Sequence, residues 1–245
     1  MHSTQNPSRL GARRKFCAAL AAALFLSMGA HAQSPVAAYP ARPVRVVVAF
    51  TAGGSTDLIA RSLGQQLADK LKQSFVIDNK PGGGNIGTEF VVRAPPDGYT
   101  LIVNTVGPMA VNPTLYKKLA YNPLTDLVPV VMIADVPNVL VVHPSVPAAT
   151  LDDFTTYAKG HPGQLSDGSI GIGTSSHLSG FMLARRAGFE AIHVPYQGVD
   201  ALNDLLAGRL QFMFATIPSV YPAGFIKVTR REHQSLAPRI QIPKW

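Results

Sequence analysis

Short apolar runs alternate with longer amphipathic runs along most of this chain. In the stretch VRVVVAFTAGGSTDLIARSLGQQLADKL, the β-branched residues 44–50 predict a buried strand. Leucines then recur every fourth residue at Leu63, Leu67 and Leu71, which predicts a helix with one apolar face. Between the two lies a glycine-rich turn, residues 51–57, so the pattern predicts a strand, a turn and a helix in that order.

The same alternation continues to about residue 214. Further strands are predicted at 74–78, 99–103, 169–171, 191–194 and 210–214, and further helices at 88–94, 150–159, 178–187 and 199–207. Two more β-like runs, 127–134 and 139–142, lie between the two halves, and a loop is predicted at 104–122. Strands that alternate with helices favour parallel βαβ units, so we expect an α/β protein with helices on both faces of its sheets.

The alternation restarts in the middle of the chain, which predicts two α/β lobes. We expect a first lobe at 33–137 and a second at 138–222, followed by a basic tail at 223–245. The lobes would be joined near residues 135–140.

Each predicted lobe has a turn rich in glycine and hydroxyl groups between a strand and a helix: GGST at 53–56 and GTSS at 173–176. The first turn of a helix has unpaired N–H groups and a partial positive charge, so a small carboxylate could be held between the two turns. The alternative is a plain turn in which Ser55, Thr56 or Asp57 only caps its helix. The Asp57 carboxylate could equally contact an amino or hydroxyl group of a ligand.

The net charge of +8 is concentrated at the two ends of the chain. Residues 1–32 contain four basic residues and no acid, and residues 223–245 contain five basic residues and one acid. Residues 33–222 therefore carry no net charge. Because a nucleic-acid binder needs a basic surface on its folded body, we expect no nucleic-acid partner.

Residues 1–32 have the pattern of a secretory signal peptide. Basic residues that include Arg13 and Arg14 precede an apolar segment at 16–28, and Ala30-His31-Ala32 provides a cleavage motif. The only cysteine, Cys17, lies inside this segment, so the exported chain would have no disulfide, thiol nucleophile or cysteine-bound metal. We expect a soluble product in the periplasm.

Motifs for enzyme chemistry are weak. The run GGGNIG at 82–87 matches a dinucleotide-binding pattern, but no acid follows the next strand, and no glycine loop ends in the Lys-Ser/Thr of a phosphate-binding loop. The histidines lack metal-ligand spacing, and we expect neither a metal nor a cofactor. Ser175, Ser176 and His177 are adjacent, and neighbours along a helix point in different directions. A periplasmic serine hydrolase that uses these residues is the alternative function.

Several motifs together resemble the tripartite tricarboxylate transporter receptor family, also called Bug. They are AFTAGGSTDLIAR, NKPGGGNIGTEFV, PPDGYTL, IGTSSHLSG and VPYQGVDALNDLLAGRLQFMFATIPS, in the family's order between about residues 39 and 222. The resemblance implies a two-lobed α/β protein with the periplasmic-binding-protein type II (Venus flytrap) architecture. It implies a receptor, not an enzyme, that captures a di- or tricarboxylate or a related organic acid. The implied partners are the membrane permease subunits of the transporter, and we expect a monomer.

The resemblance also implies which residues bind the ligand, largely through backbone amides. They are Phe50, Gly53, Gly54, Ser55, Thr56, Asp57, Thr105, Gly173, Thr174, Ser175, Ser176, His177, Tyr196 and Ala215. Some relatives have Asp at the position of Ala215. Alanine removes a charge that could pair with an amine, which favours a plain or hydroxylated carboxylate over an amino acid.

After Pro222 the sequence departs from the family's pattern. Relatives continue with a helix and a strand that return to the first lobe, whereas this chain ends with KVTRREHQSLAPRIQIPKW. We expect a truncated or frameshifted chain that lacks the C-terminal part of the first lobe, and a genuine short variant is the alternative. Exposed strand edges, marginal stability and weak or absent binding would follow. A non-functional remnant of the receptor is therefore a further alternative.

Overall fold

The computed structural model describes residues 39–220 and 227–228, in which strands and helices alternate. The strands are β1 (Val44–Val48), β2 (Phe75–Asn79), β3 (Thr100–Val103), β4 (Asn138–Val142), β5 (Ser166–Ser169), β6 (Ile192–Pro195), β7 (Phe212–Thr216) and β8 (Lys227–Val228). The helices are α1 (Ser55–Leu71), α2 (Asn85–Val92), a π-helix (Gly107–Val111), α3 (Asn112–Leu115), α4 (Leu151–Gly160), α5 (Ser175–Ala187), α6 (Asp200–Leu206) and α7 (Ile217–Val220). The predicted signal peptide and most of the predicted basic tail lie outside the described residues.

These strands form two sheets. The first has the order β2-β1-β3 and is entirely parallel. The second has the order β6-β5-β7-β4-β8, and β4 runs antiparallel to both of its neighbours. Strand β4 is therefore an exception to the parallel βαβ pattern that we expected. A βαβ unit fixes the direction only of the two strands that it connects, and no such unit joins β4 to β7.

Both faces of the second sheet are covered by helices. On one face, Phe154 of α4 packs edge-to-face on Phe212 of β7, with ring centroids 5.0 Å apart. On the other face, Met213 packs with Leu205 of α6. Successive residues of β7 thus point into different cores, because side chains alternate across a strand. In the first sheet, β1 packs on α1 through residues such as Ala60.

Most predicted elements are present, with shifted ends. The strand β5 begins three residues before the predicted start, because its sequence SDGS has no apolar signal. The helix α5 begins at Ser175 and not at Leu178, since its first turn is polar. The predicted loop at 104–122 contains the π-helix and α3. Within the described part of the chain, no helix is both long enough and apolar enough to cross a bilayer.

The β-like run predicted at 127–134 is not a strand. None of the residues from 127 to 137 has regular secondary structure, although the sequence is apolar and β-branched. Val128, Val130 and Val131 are 88%, 83% and 73% exposed. A strand needs a neighbour for its backbone N–H and C=O groups, and no described strand pairs with this segment. The result is an irregular segment with an exposed apolar surface.

Candidate functional site

Loops that follow strands of the two sheets meet at the candidate site. The loop after β1 contributes Thr51, whose Oγ1 accepts a hydrogen bond of 3.3 Å from the Val199 N–H after β6. Gly198 lies so close that a Cβ there would be 2.0 Å from the same Oγ1, and its φ of +146° also favours glycine. The two sheets are therefore in direct contact through their strand-end loops.

A second close approach involves Gly173, in the loop after β5. A Cβ at Gly173 would lie 2.1 Å from Oδ1 of Asn112, which is fully buried on α3. The Asn112 Nδ2 donates to Asn85 Oδ1 at 2.6 Å, and Tyr121 donates its hydroxyl to the same oxygen at 2.8 Å. Our sequence interpretation did not single out Asn112, Tyr121 or Asn85. Asn112 and Tyr121 lie in the region predicted to be a loop, and Asn85 lies in the GGGNIG run.

The loop before α1 is held by Asp57. The Asp57 carboxylate accepts hydrogen bonds of 2.9 Å from the Gly53 N–H, Arg61 Nε and Asn79 Nδ2. Burial alone would raise the pKa of Asp57, but these bonds and the Arg61 charge outweigh it and lower the pKa. The N-cap of α1 is Gly54, with no side-chain cap, so the prediction that a hydroxyl or carboxyl side chain of this turn caps the helix at that position is wrong.

Ser55 connects the start of α1 to the end of β7. Its hydroxyl forms hydrogen bonds with the hydroxyl groups of Thr216 and, at 2.8 Å, Ser219. Thr216 and Ser219 also bond to each other at 2.9 Å. Thr216 and Ser219 have no signal in the sequence other than their position shortly after Ala215. Ala215 itself is buried in the core of the second sheet.

Two hydroxyl groups of the second turn shape the loop itself. Thr174 is the N-cap of α5, but its hydroxyl donates to the Gly171 carbonyl at 2.6 Å and caps no helical N–H. The Ser176 hydroxyl accepts from the Ile170 N–H at 3.2 Å. Both side chains are nearly inaccessible to solvent. Ser175, by contrast, is half-buried, and its hydroxyl bonds to no other described residue.

His177 is tied to the same loop as a neutral imidazole. Its Nδ1 accepts from the Gly173 N–H at 3.2 Å, and its ring stacks on His193 with centroids 4.0 Å apart. Burial lowers the pKa of His177. Burial and the neighbouring His177 lower the pKa of His193 to about 4. Both rings are therefore uncharged at neutral pH.

The histidines do not form a hydrolase site. Among the described residues, neither Ser175 nor Ser176 is hydrogen-bonded to His177. His193 does bond to a serine, with 2.7 Å between its Nε2 and Ser169 Oγ, but Ser169 is fully buried. A nucleophile must be reachable by its substrate, so the geometry gives no support to the serine hydrolase alternative.

The remaining predicted residues lie at the ends of three strands. Phe50, after β1, is buried in the core of the first sheet. Thr105, after β3, is half-buried and donates its N–H to Asn104 Oδ1 at 2.9 Å. Tyr196, after β6, donates its hydroxyl to Asp204 Oδ2 at 2.5 Å, and this bond raises the pKa of Tyr196.

Main-chain donors at the starts of α1 and α5 are available at this site. Neither helix has a side-chain cap. In the described part of the chain, the N–H groups of Ser55, Thr56, Ser175 and Ser176 donate to no backbone carbonyl. Such groups, together with the partial positive charge of each helix start, can bind a carboxylate without an arginine.

A cavity of about 670 Å³ lies at a different place, against β1, α2 and the start of β3. Its lining includes Arg45, Phe90 and Arg93, and it contains none of the predicted ligand residues. The candidate carboxylate site is therefore separate from this cavity.

The sequence model of the tripartite tricarboxylate transporter family receptor matches residues 59–236. The chain belongs to this family. The match starts within α1 and continues past Pro222, into the segment that we expected to diverge.

Relatives of the receptor family align with most of this chain. The UPF0065 protein in the tcbD-tcbE intergenic region of Pseudomonas sp. (strain P51) is 39% identical over 223 residues, which are 89% of this chain and 65% of that protein. The structure of R. palustris Rpa4515 with adipate is 40% identical with a TM-score of 0.76, covering 78% of this chain and 65% of that one. MatC from Rhodopseudomonas palustris with bound malate is 33% identical with a TM-score of 0.73, covering 78% and 67%.

These likenesses confirm the predicted fold class, a two-lobed α/β protein of the periplasmic-binding-protein type II architecture. The chain spans 59% to 65% of the length of the first three curated relatives that it matches.

Proposed function

We propose that this chain is an extracytoplasmic solute-binding receptor that captures a small carboxylate for a tripartite tricarboxylate-type transporter. The observation that carries the proposal is the pair of uncapped helix starts, one following a strand of each sheet. Each offers free N–H groups and a partial positive charge to an anion. Relatives whose structures contain adipate and malate support a dicarboxylate as the ligand class.

The candidate donors are the main-chain N–H groups of Ser55, Thr56, Ser175 and Ser176. The Ser175 hydroxyl can add a hydrogen bond because no other described residue uses it. A dicarboxylate would place one carboxylate at each helix start. His177 is neutral and the Asp57 carboxylate is paired with Arg61, so the two helix dipoles would provide the positive potential that attracts the ligand.

Export to the periplasm is supported by the signal-peptide pattern of residues 1–32. The family assignment supports binding in place of catalysis, and it makes the permease subunits of the transporter the expected partners. We expect the receptor to act as a monomer.

A proline at position 175 tests the main-chain donors directly. Ser175 is the first residue of α5, where proline is tolerated because its missing N–H has no helical partner. Thr174 already has φ −74° and ψ 162°, which suits a residue before proline. We expect Ser175→Pro to weaken adipate binding about tenfold or more, the loss of roughly one charge-assisted hydrogen bond. The matched control Ser175→Ala removes only the hydroxyl and should weaken binding less.

Thermal denaturation with adipate, malate, citrate and aspartate, followed by isothermal titration calorimetry, provides the measurement. A ligand that binds only the folded state raises the melting temperature by mass action. Unchanged affinity in Ser175→Pro would contradict the proposed donors, and selective binding of aspartate would contradict a plain or hydroxylated carboxylate. A broad transition that no carboxylate shifts would favour the non-functional remnant.

A further inference from the structure

Asp167 is a buried carboxylate that the proposed ligand site does not use. It lies on β5 and is only 4% exposed. Across the sheet it pairs with His193 of β6 and Phe212 of β7, and Phe212 pairs in turn with Val142 of β4. Phe212 and Val142 are at most 1% exposed. One side of the carboxylate is therefore in the apolar core.

The helix α5 covers this carboxylate at Gly180. A Cβ on Gly180 would lie 1.9 Å from Asp167 Oδ2, so only glycine leaves room for the carboxyl group. The other oxygen, Oδ1, is buried and has no hydrogen-bond partner among the described residues. The helix thus packs directly on a group that becomes charged when it loses its proton.

No cation faces Asp167 from the described elements that pack on this side of the sheet. The titratable groups on the adjacent elements are His193 of β6, His177 of α5 and Tyr157 of α4. The two histidines stack on each other and are neutral at pH 7. The β7 residues in this core, Phe212 and Phe214, are apolar, and α6 packs on the opposite face. The charged side chains of the covering helices are exposed: Asp152, Asp153, Lys159, Arg185 and Arg186. Burial therefore raises the pKa of Asp167 to about 7.

We propose that Asp167 is a buried proton-binding site whose occupancy controls how α5 packs on the second sheet. A protonated carboxyl group is neutral and can stay beneath Gly180. An ionised one has almost no contact with solvent and no cationic partner among the described residues, so α5 must shift or admit water. The first turn of α5 carries half of the proposed carboxylate site. If the proposed function holds, the affinity for the carboxylate should therefore decrease as the pH rises above neutrality.

Hydrogen–deuterium exchange without ligand tests the proton site. The full chain would be compared with Asp167→Asn, which keeps the shape but cannot ionise, at pH 5.5 and pH 8. We expect the ratio of wild-type to Asp167→Asn exchange rates in residues 170–180 to rise about tenfold or more between the two pH values. The matched control Asp152→Asn alters an exposed carboxylate of α4 and should follow the wild type at both pH values.

A ratio that stays the same from pH 5.5 to pH 8 would overturn the proposal. Because both proteins are measured at the same pH, the ratio removes the intrinsic pH dependence of hydrogen exchange. The change in the ratio between the two pH values also removes any pH-independent destabilisation by the asparagine side chain. If Asp167→Asn does not fold, Asp167→Ala provides the same comparison. A separate arm adds adipate at pH 5.5: no rise in the melting temperature of either protein would contradict the proposed function, while the ligand-free ratio still decides the proton site.

Discussion

Replacing Asp57 by alanine should lower the free energy of unfolding by about 3 kcal/mol. The carboxylate is almost fully buried and accepts three hydrogen bonds of 2.9 Å. A hydrogen bond to a charged group contributes roughly 1.5–3 kcal/mol when its partners are shielded from water. Asn79 is half-buried and is the least exposed of the three partners, so its bond should account for about 2 kcal/mol. Gly53 is exposed and the Arg61 side chain is 52% exposed, so water replaces their bonds and together they add about 1 kcal/mol.

Equilibrium unfolding in urea at pH 7 measures this loss. The control Arg61→Gln removes one exposed partner, the guanidinium, and leaves the Gly53 and Asn79 bonds to Asp57, so it should cost less than about 1 kcal/mol. A loss below about 1 kcal/mol for Asp57→Ala, or an equal loss for Arg61→Gln, would refute the reasoning that the buried carboxylate holds this loop. Weaker binding of a hydroxylated carboxylate such as malate, with unchanged stability, would instead identify Asp57 as a contact of the ligand hydroxyl group.

The pH dependence gives an independent test of the same bonds. The pKa of Asp57 is lowered in the folded protein, so its contribution is complete above the unfolded pKa of about 3.9. The contribution is lost as the pH falls through the lower folded value, because the protonated carboxyl group no longer holds its donors. The difference in stability between the wild type and Asp57→Ala should therefore shrink below about pH 4. A difference in stability that is constant from pH 7 to pH 3 would show that the ionised Asp57 carboxylate is not the source of this stability.

Two further predictions concern contacts between the two sheets, and a third concerns the exposed apolar segment at residues 127–137. Ser55→Ala should lower the free energy of unfolding by about 1 kcal/mol, because two hydroxyl groups lose a partner; no loss in urea unfolding would contradict this. Gly198→Ala should lower the melting temperature, since its Cβ would clash with Thr51, and Thr51→Ala in the same chain should recover part of the loss. Val130→Lys with Met132→Lys should reduce non-specific aggregation in light scattering at high protein concentration without changing the melting temperature, because these side chains are 83% and 77% exposed. Unchanged aggregation would show that this segment is not the surface that aggregates.

The elements that could be predicted from the sequence are those determined by neighbouring residues. The helix α4 is an example, because Thr150 accepts from the Asp153 N–H at 3.1 Å and Asp153 accepts from the Thr150 N–H at 3.0 Å. These two bonds form a capping box, with Asp in the place of Glu, at the start of the helix predicted at 150–159. The periodic leucines of α1 and the β-branched run of β1 are also signals that come from residues close together in the sequence. The fold class follows from such signals because alternating strands and helices have few stable arrangements.

Features that depend on distant residues could not be predicted. The hydroxyl contact between Ser55 and Thr216 joins residues 161 positions apart, and nothing in either local sequence indicates the other. The direction of β4 depends on pairing with β7, to which no crossover connects it. The apolar run at 127–134 has the composition of a strand, but composition measures how well a segment fits a sheet and not whether a partner is available.

The turns that first suggested a ligand site use many of their hydroxyl groups internally. Ser55 binds the end of β7, and Thr174 and Ser176 hold the loop before α5. The donors that we propose for a ligand are mainly backbone N–H groups at two helix starts, and a backbone N–H is the same whatever side chain its residue carries. On the proposed function, the distance between the two helix starts, and not the identity of their side chains, would select among dicarboxylates. Contacts between the sheets, such as that of Gly198 with Thr51, would help to set that distance, so residues outside the proposed donor set would influence the length of ligand that fits.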